Sequence, residues 1–90
     1  MALKPFPAVA VGTGATLLFD SGTNVGTWVI QNLGPNPITI TDSAGTVNSV
    51  VVDATGGIVA LDRVNGKLYA KCPAGAQVSP ADTRILGDTD

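Results

Sequence analysis

Histidine and glutamate are missing from this sequence altogether, and cysteine and methionine occur once each. The seven carboxylates are all Asp, set against five Lys and Arg for a formal net charge of −2. Charged residues make up 13% of the chain, against roughly 25% in an ordinary soluble domain. Without His, no Ser–His–Asp or Cys–His unit can be assembled, and zinc sites built from Cys and His are excluded. Five scattered cations do not make the basic face of a nucleic-acid binder, so no nucleic-acid partner is expected. No apolar run approaches the ~18 residues of a membrane-spanning helix. Residues 1–7 contain Lys4 but no following apolar run of leader length, so no membrane partner is expected either. Cys72 cannot form an internal disulfide by itself, and one free thiol fits synthesis in a reducing compartment.

What is abundant points to strands. Val, Thr, Ala and Gly are heavily used, while the helix formers Glu, Lys, Gln, Met and Leu are sparse. Eleven Gly and six Pro in 90 residues mean frequent chain reversals. A chain of this size is one domain and hides only about 60–65% of its unfolded surface. With no disulfide and no structural metal site in the sequence, its usual remaining support is oligomerisation or docking on something larger.

Two prolines bracket Phe6 at the start of the chain, and each pushes its preceding residue towards extended geometry. Residues 1–7 are therefore expected to form an extended arm. Leu3 and Phe6 would be exposed on an isolated arm, so the arm either reaches a neighbouring subunit or covers its own domain's open edge. Residues 8–87 read as a single β domain and residues 88–90 as an acidic, solvated tail. Within that domain, Ala8–Val11, Ala15–Asp20, Thr27–Leu33, Ile38–Thr41, Thr46–Asp53 and Ile58–Leu61 have strand character. Lys67–Cys72, Ala76–Ser79 and Thr83–Leu86 complete the pattern. In the strongest of these segments Trp28 and Ile30 share one face, with Val29 and Gln31 on the other. Asn65-Gly66 is a hairpin signal between Leu61 and Lys67, and Pro80-Ala81-Asp82 is expected to make a turn of 3₁₀ helix. Seven or eight short strands with reversals every 8 to 12 residues predict an all-β fold, a small antiparallel, jelly-roll-like sandwich or barrel.

Candidate chemistry is thin. Gly12-Thr13-Gly14 lacks the third glycine of a dinucleotide loop, because Leu17 stands there and a strand follows, so it reads as a turn. Asp20, Asp42, Asp53, Asp62 and Asp82 lie at strand ends, where Asp side chains hydrogen-bond turn backbone. A pair of them meeting in space would be the sole route to an Asp-based hydrolase. Asp20–Asn24 offers some oxygen ligands for a cation but departs from the EF-hand pattern. Cys72 shares a face with Leu68 and Ala70 and is expected in the core, having no His to make it a nucleophile. Trp28 is expected as a core anchor rather than a sugar-stacking platform. No catalytic residue, cofactor, metal or small-molecule substrate is expected.

Two stretches resemble a known group. Thr27–Ile40 (TWVIQNLGPNPITI) is similar to the strand, Asn-x-Gly turn and strand at the centre of small structural proteins of tailed bacteriophages. Gly66–Ala70 (GKLYA), with Cys72–Val78 and Thr83–Leu86, resembles the closing strands of the same proteins. The resemblance implies a decoration, cement or head-fibre-base subunit on the outer surface of a phage capsid, made in the host cytoplasm. It implies the major capsid protein as partner and a homotrimer that bridges neighbouring shell subunits. On this expectation Leu3, Lys4, Pro5, Phe6 and Pro7 contact the partner. A small module recognising a host surface or glycan from a fibre or tail is the alternative.

Overall fold

The strand pattern resolves into two sheets in the computed structural model, which describes residues 3–46 and 48–89, Thr89 by its backbone alone. The strands are β1 (Lys4–Phe6), β2 (Thr16–Asp20), β3 (Gly26–Asn32), β4 (Ile38–Thr41), β5 (Asn48–Val52), β6 (Gly57–Val64), β7 (Lys67–Lys71) and β8 (Thr83–Thr89). One antiparallel sheet has the order β1-β8-β3-β6 and the other β2-β7-β4-β5. That interleaving is the strand order of a jelly roll, two Greek keys folded into a sandwich. The expected 3₁₀ turn is present at Pro80–Asp82, where the Ser79 hydroxyl accepts the Ala81 N–H and the Ser79 carbonyl accepts the Asp82 N–H.

Burial follows the period of two. Along β3, Gly26, Trp28, Ile30 and Asn32 face inward while Thr27, Val29 and Gln31 face outward. Trp28 lies fully buried at the centre of the core, with Phe19 stacked on it at 3.9 Å and Phe6 edge-on at 4.9 Å. A bulge in β2 at Leu18 breaks the register against β7, so Leu18 and Phe19, neighbours in sequence, are both buried.

Three sequence expectations need correction. Asn65-Gly66 does not close a hairpin: β6 belongs to one sheet and β7 to the other. Gly66 takes φ +83°, and its N–H and carbonyl are latched to Ser21 of the β2–β3 loop, making a corner between sheets. Of consecutive strands, β4 and β5 alone are paired neighbours. Residues 8–11 and 76–79 are loops rather than strands, because Val11 and Gln77 exchange hydrogen bonds with each other instead of joining a ladder. The boundaries drawn at both chain ends also fall inside the fold. Lys4–Phe6 pairs antiparallel with β8, and Asp88 and Thr89 continue β8 opposite Thr27 and Gly26. Met1, Ala2 and Asp90 lie outside the described residues.

Each edge is blunted. Edge β1 is three residues long and contains Pro5, which has no N–H to offer. Bulges interrupt the other three edge strands: β2 at Leu18, β5 at Ser49 and β6 at Asp62–Arg63. At the last of these Arg63 adopts φ +59°. Thr55, in the β5–β6 turn, sits at φ +61°, an unfavourable region for a β-branched side chain. Its N–H donates to the Gly34 carbonyl at 2.9 Å, which holds the conformation in place. Thr55→Asn, which tolerates this region, is expected to raise stability by about 1 kcal/mol and Tm by about 4–8 °C. Thermal unfolding followed by circular dichroism checks this; no rise in Tm would show that Thr55 carries no strain.

Candidate docking surfaces

Most of the residues singled out for chemistry are occupied with structure. Asp20 accepts the Gly22 N–H at 2.9 Å, and Asp42 accepts the Thr46 N–H at 2.9 Å, as turn-capping carboxylates do. Asp62 accepts the Thr27 hydroxyl at 2.8 Å across β6 and β3. Around Gly12-Thr13-Gly14 the chain is closed by Thr16, whose hydroxyl takes the Gly12 N–H and donates to the Gly14 carbonyl. Among the described residues no three His, Cys, Asp or Glu side chains group as metal ligands. Cys72 is fully buried, its Sγ 3.5 Å from the Pro37 carbonyl oxygen. The Trp28 ring is enclosed, and its indole N–H donates to the Val64 carbonyl at 3.2 Å. It cannot serve as a stacking platform.

The arm residues are brought onto the domain itself. Phe6 is half-buried against Trp28, while Leu3, Lys4, Pro5 and Pro7 are exposed. Lys4–Phe6 thus covers the β8 edge of its own sheet, with Phe6 packed inward. Burying part of an aromatic ring contributes about 1–2 kcal/mol, which adds to the β1–β8 ladder hydrogen bonds against the chain entropy of ordering three residues.

One end of the sandwich is frozen by a buried amide. The Gln77 side-chain carbonyl accepts the Val11 N–H at 2.9 Å and the Thr83 hydroxyl, and its NH₂ donates to Asn32 Oδ1 at 3.0 Å. Asn32 in turn donates to the carbonyls of Asn36 and Val52, at 2.8 and 3.2 Å, and accepts the Gly34 N–H at 3.0 Å. Residues 8–12, 33–37, 53–56 and 72–82 are thereby tied into one loop end that carries two charged side chains, Asp53 and Asp82. From this end project Leu33, 42% exposed, and Val78, 94% exposed and directly after the buried Gln77. The loop end therefore presents an almost bare valine directly beside a buried hydrogen-bond network.

The second surface is the outer face of the β1-β8-β3-β6 sheet. The register aligns Pro5, Leu86, Val29 and Ala60 in a row across all four strands. On the loop-end side of the row Arg84 donates to Gln31 Oε1 at 3.5 Å, and Gln31 donates to the Gly56 carbonyl at 3.4 Å. Asp88 and the Thr27–Asp62 pair flank the far side. Beside Leu86, 37% exposed, and Ile58, 63% exposed, lies a hollow of about 180 Å³ lined by these two residues with Val29, Gln31 and Arg84. Sequence reasoning placed Val29 on the face opposite Trp28, but its alignment with Leu86 and Ala60 is set by register between distant strands and had no local signal. Val78 and Gln77 gave no signal, because one amide and one valine in a loop are unremarkable until the fold encloses the first and leaves the second bare. Compared with known proteins, the chain matches no protein-family model, no curated protein and no solved structure.

Proposed function

We propose that the chain is a non-enzymatic structural subunit that decorates the outer surface of a phage capsid, docking by its loop end onto major capsid subunits and bridging neighbours. The observation that carries this reading is Val78, 94% exposed on a loop end whose backbone is fixed by the buried Gln77–Asn32 network. A rigid, nearly uncharged platform binds by area and fit, with little ordering cost on docking. The jelly-roll strand order supports the same role, since viral shells use this architecture, although fold by itself carries no function. Many weak copies on a repeating lattice hold by multivalency. A subunit that binds the assembled shell and not its free components stabilises the shell by mass action. For the alternative of glycan recognition, enclosure of Trp28 leaves the half-buried Tyr69 as the remaining candidate ring on the sheet faces.

The test is occupancy on shells stripped of the chain and re-supplied with purified protein. Val78→Asp is expected to weaken binding by about 10- to 100-fold, the equivalent of burying one valine. Its Tm should stay within about 2 °C of the parent, because an exposed side chain contributes little to folding. Wild-type protein that fails to bind such shells would overturn the proposed role, and equal occupancy by Val78→Asp would remove the loop end from it.

A further inference from the structure

We propose that the outer face of the β1-β8-β3-β6 sheet pairs with a second copy of this chain, face to face and with strands antiparallel. Along β8 the face is self-complementary. The outward residues there are Arg84, Leu86 and Asp88, a cation and an anion on either side of the apolar row. A two-fold axis lying along that row sets Leu86 against Leu86 and Val29 against Val29. The same rotation reverses the strands, so Arg84 of each copy lies over Asp88 of the other. Both charge pairs form at once, and the pattern is isologous, as a two-fold interface requires.

Other occupants fit less well. An acidic ligand would satisfy Arg84, which makes no ion pair among the described residues, but would bring like charge onto Asp88. An added strand from a partner would need an open sheet edge, and Pro5 and the bulge at Asp62–Arg63 blunt both edges of this sheet. A second copy is the occupant whose complement is already present. Strands of three, seven, seven and eight residues, rising about 3.3 Å per residue and about 4.8 Å apart, make a face of roughly 400 Å². Pairing two such faces buries on the order of 800 Å², below the about 1,200–2,000 Å² of tight interfaces, so the pairing is a weak and transient one.

The arrangement departs from the trimer that the phage resemblance implies. It also sets the two loop ends at opposite ends of the dimer. On the decoration reading, which the pairing itself does not need, one loop end of a dimer then docks on a shell subunit while the other points away from that contact.

Sedimentation equilibrium of the full chain, with no shell present, tests the pairing. Wild type is expected to show a reversible monomer–dimer equilibrium. Leu86→Arg sets two guanidinium groups together on the axis and should weaken it at least about 30-fold. Arg84→Asp should weaken it about tenfold, and Arg84→Asp combined with Asp88→Arg should return Kd to within about threefold of wild type. The swapped pair reads out independently should Leu86→Arg fold poorly. A wild type that stays monomeric to about 1 mM, or a Kd indifferent to Leu86→Arg in folded protein, would overturn the inference. So would a charge swap that does not recover pairing. Shell occupancy is measured separately, so a monomeric chain that still binds shells sinks the pairing alone.

Discussion

Trp28→Ala is expected to lose about 3–5 kcal/mol of folding stability. A domain of this size has on the order of 5–13 kcal/mol in total, so this one side chain holds a large part of it. The reason is geometric. Trp28 is contacted by Phe19 from β2 in one sheet and by Phe6 from β1 in the other, so its ring joins both sheets and the N-terminal strand. Opposite it, Gly87 leaves the space that the ring fills: a Cβ there would overlap Trp28 Cζ3 and Cε3 and press on Phe6 Cε1. Gly87→Ala is therefore expected to cost about 2–3 kcal/mol by overpacking, although it removes no contact. The two effects are coupled, because a smaller residue at position 28 makes room for the new methyl. In a Trp28→Leu background Gly87→Ala should cost under about 1 kcal/mol, a non-additivity that identifies the shared site. Urea titrations followed by far-ultraviolet circular dichroism give all three numbers. A Gly87→Ala cost below about 0.5 kcal/mol in the parent would refute the packing described here.

Gln77→Ala is expected to cost about 3 kcal/mol, more than the loss of one hydrogen bond. Removing the amide strands the Val11 N–H and the Thr83 hydroxyl in a buried site and takes one donor from Asn32 Oδ1. An unsatisfied buried group costs about 1–3 kcal/mol, whereas a made hydrogen bond contributes about 1 kcal/mol net. The damage should be local as well as global. Amide exchange at Val11 and Gln77, which are bonded to each other through main chain and side chain, should accelerate by more than the overall loss of stability explains. On the proposed role, loosening this end also releases Val78 from its fixed position, so shell occupancy should fall further than stability alone dictates. Uniform acceleration across the chain would show that the network supports the fold without rigidifying the loop end.

Asn32, at the junction of β3 and its loop, shows where local reading succeeds and fails. The alternation of Gly26–Asn32 made the strand visible, because side chains on a strand point to opposite faces with a period of two. The same period marked Trp28 as core and Val29 as outward. Asp20 and Asp42 were legible as turn residues, since their hydrogen bonds reach backbone two and four residues away. The side-chain partners of Asn32 lie 2, 4, 20 and 45 residues off, and the first two alone belong to its own loop. No local rule reaches the others. Asn65-Gly66 failed as a hairpin signal for the same reason: two residues can reverse a chain without deciding which sheet the next strand joins.

By itself, then, the sequence determined that the chain is all-β, that its strands are short, which faces are apolar, and which residue types are missing for chemistry. Those properties come from composition and from period-two geometry, and both act within one strand or turn. The tertiary structure decided the jelly-roll order, the folding of the arm onto its own sheet, and the burial of Gln77 beside an exposed Val78. It also decided the alignment of Leu86, Val29 and Ala60 into one row with charge on either side. Each of these depends on register and contact between segments far apart in the chain, where the free energy of pairing is settled by the partner rather than by the segment.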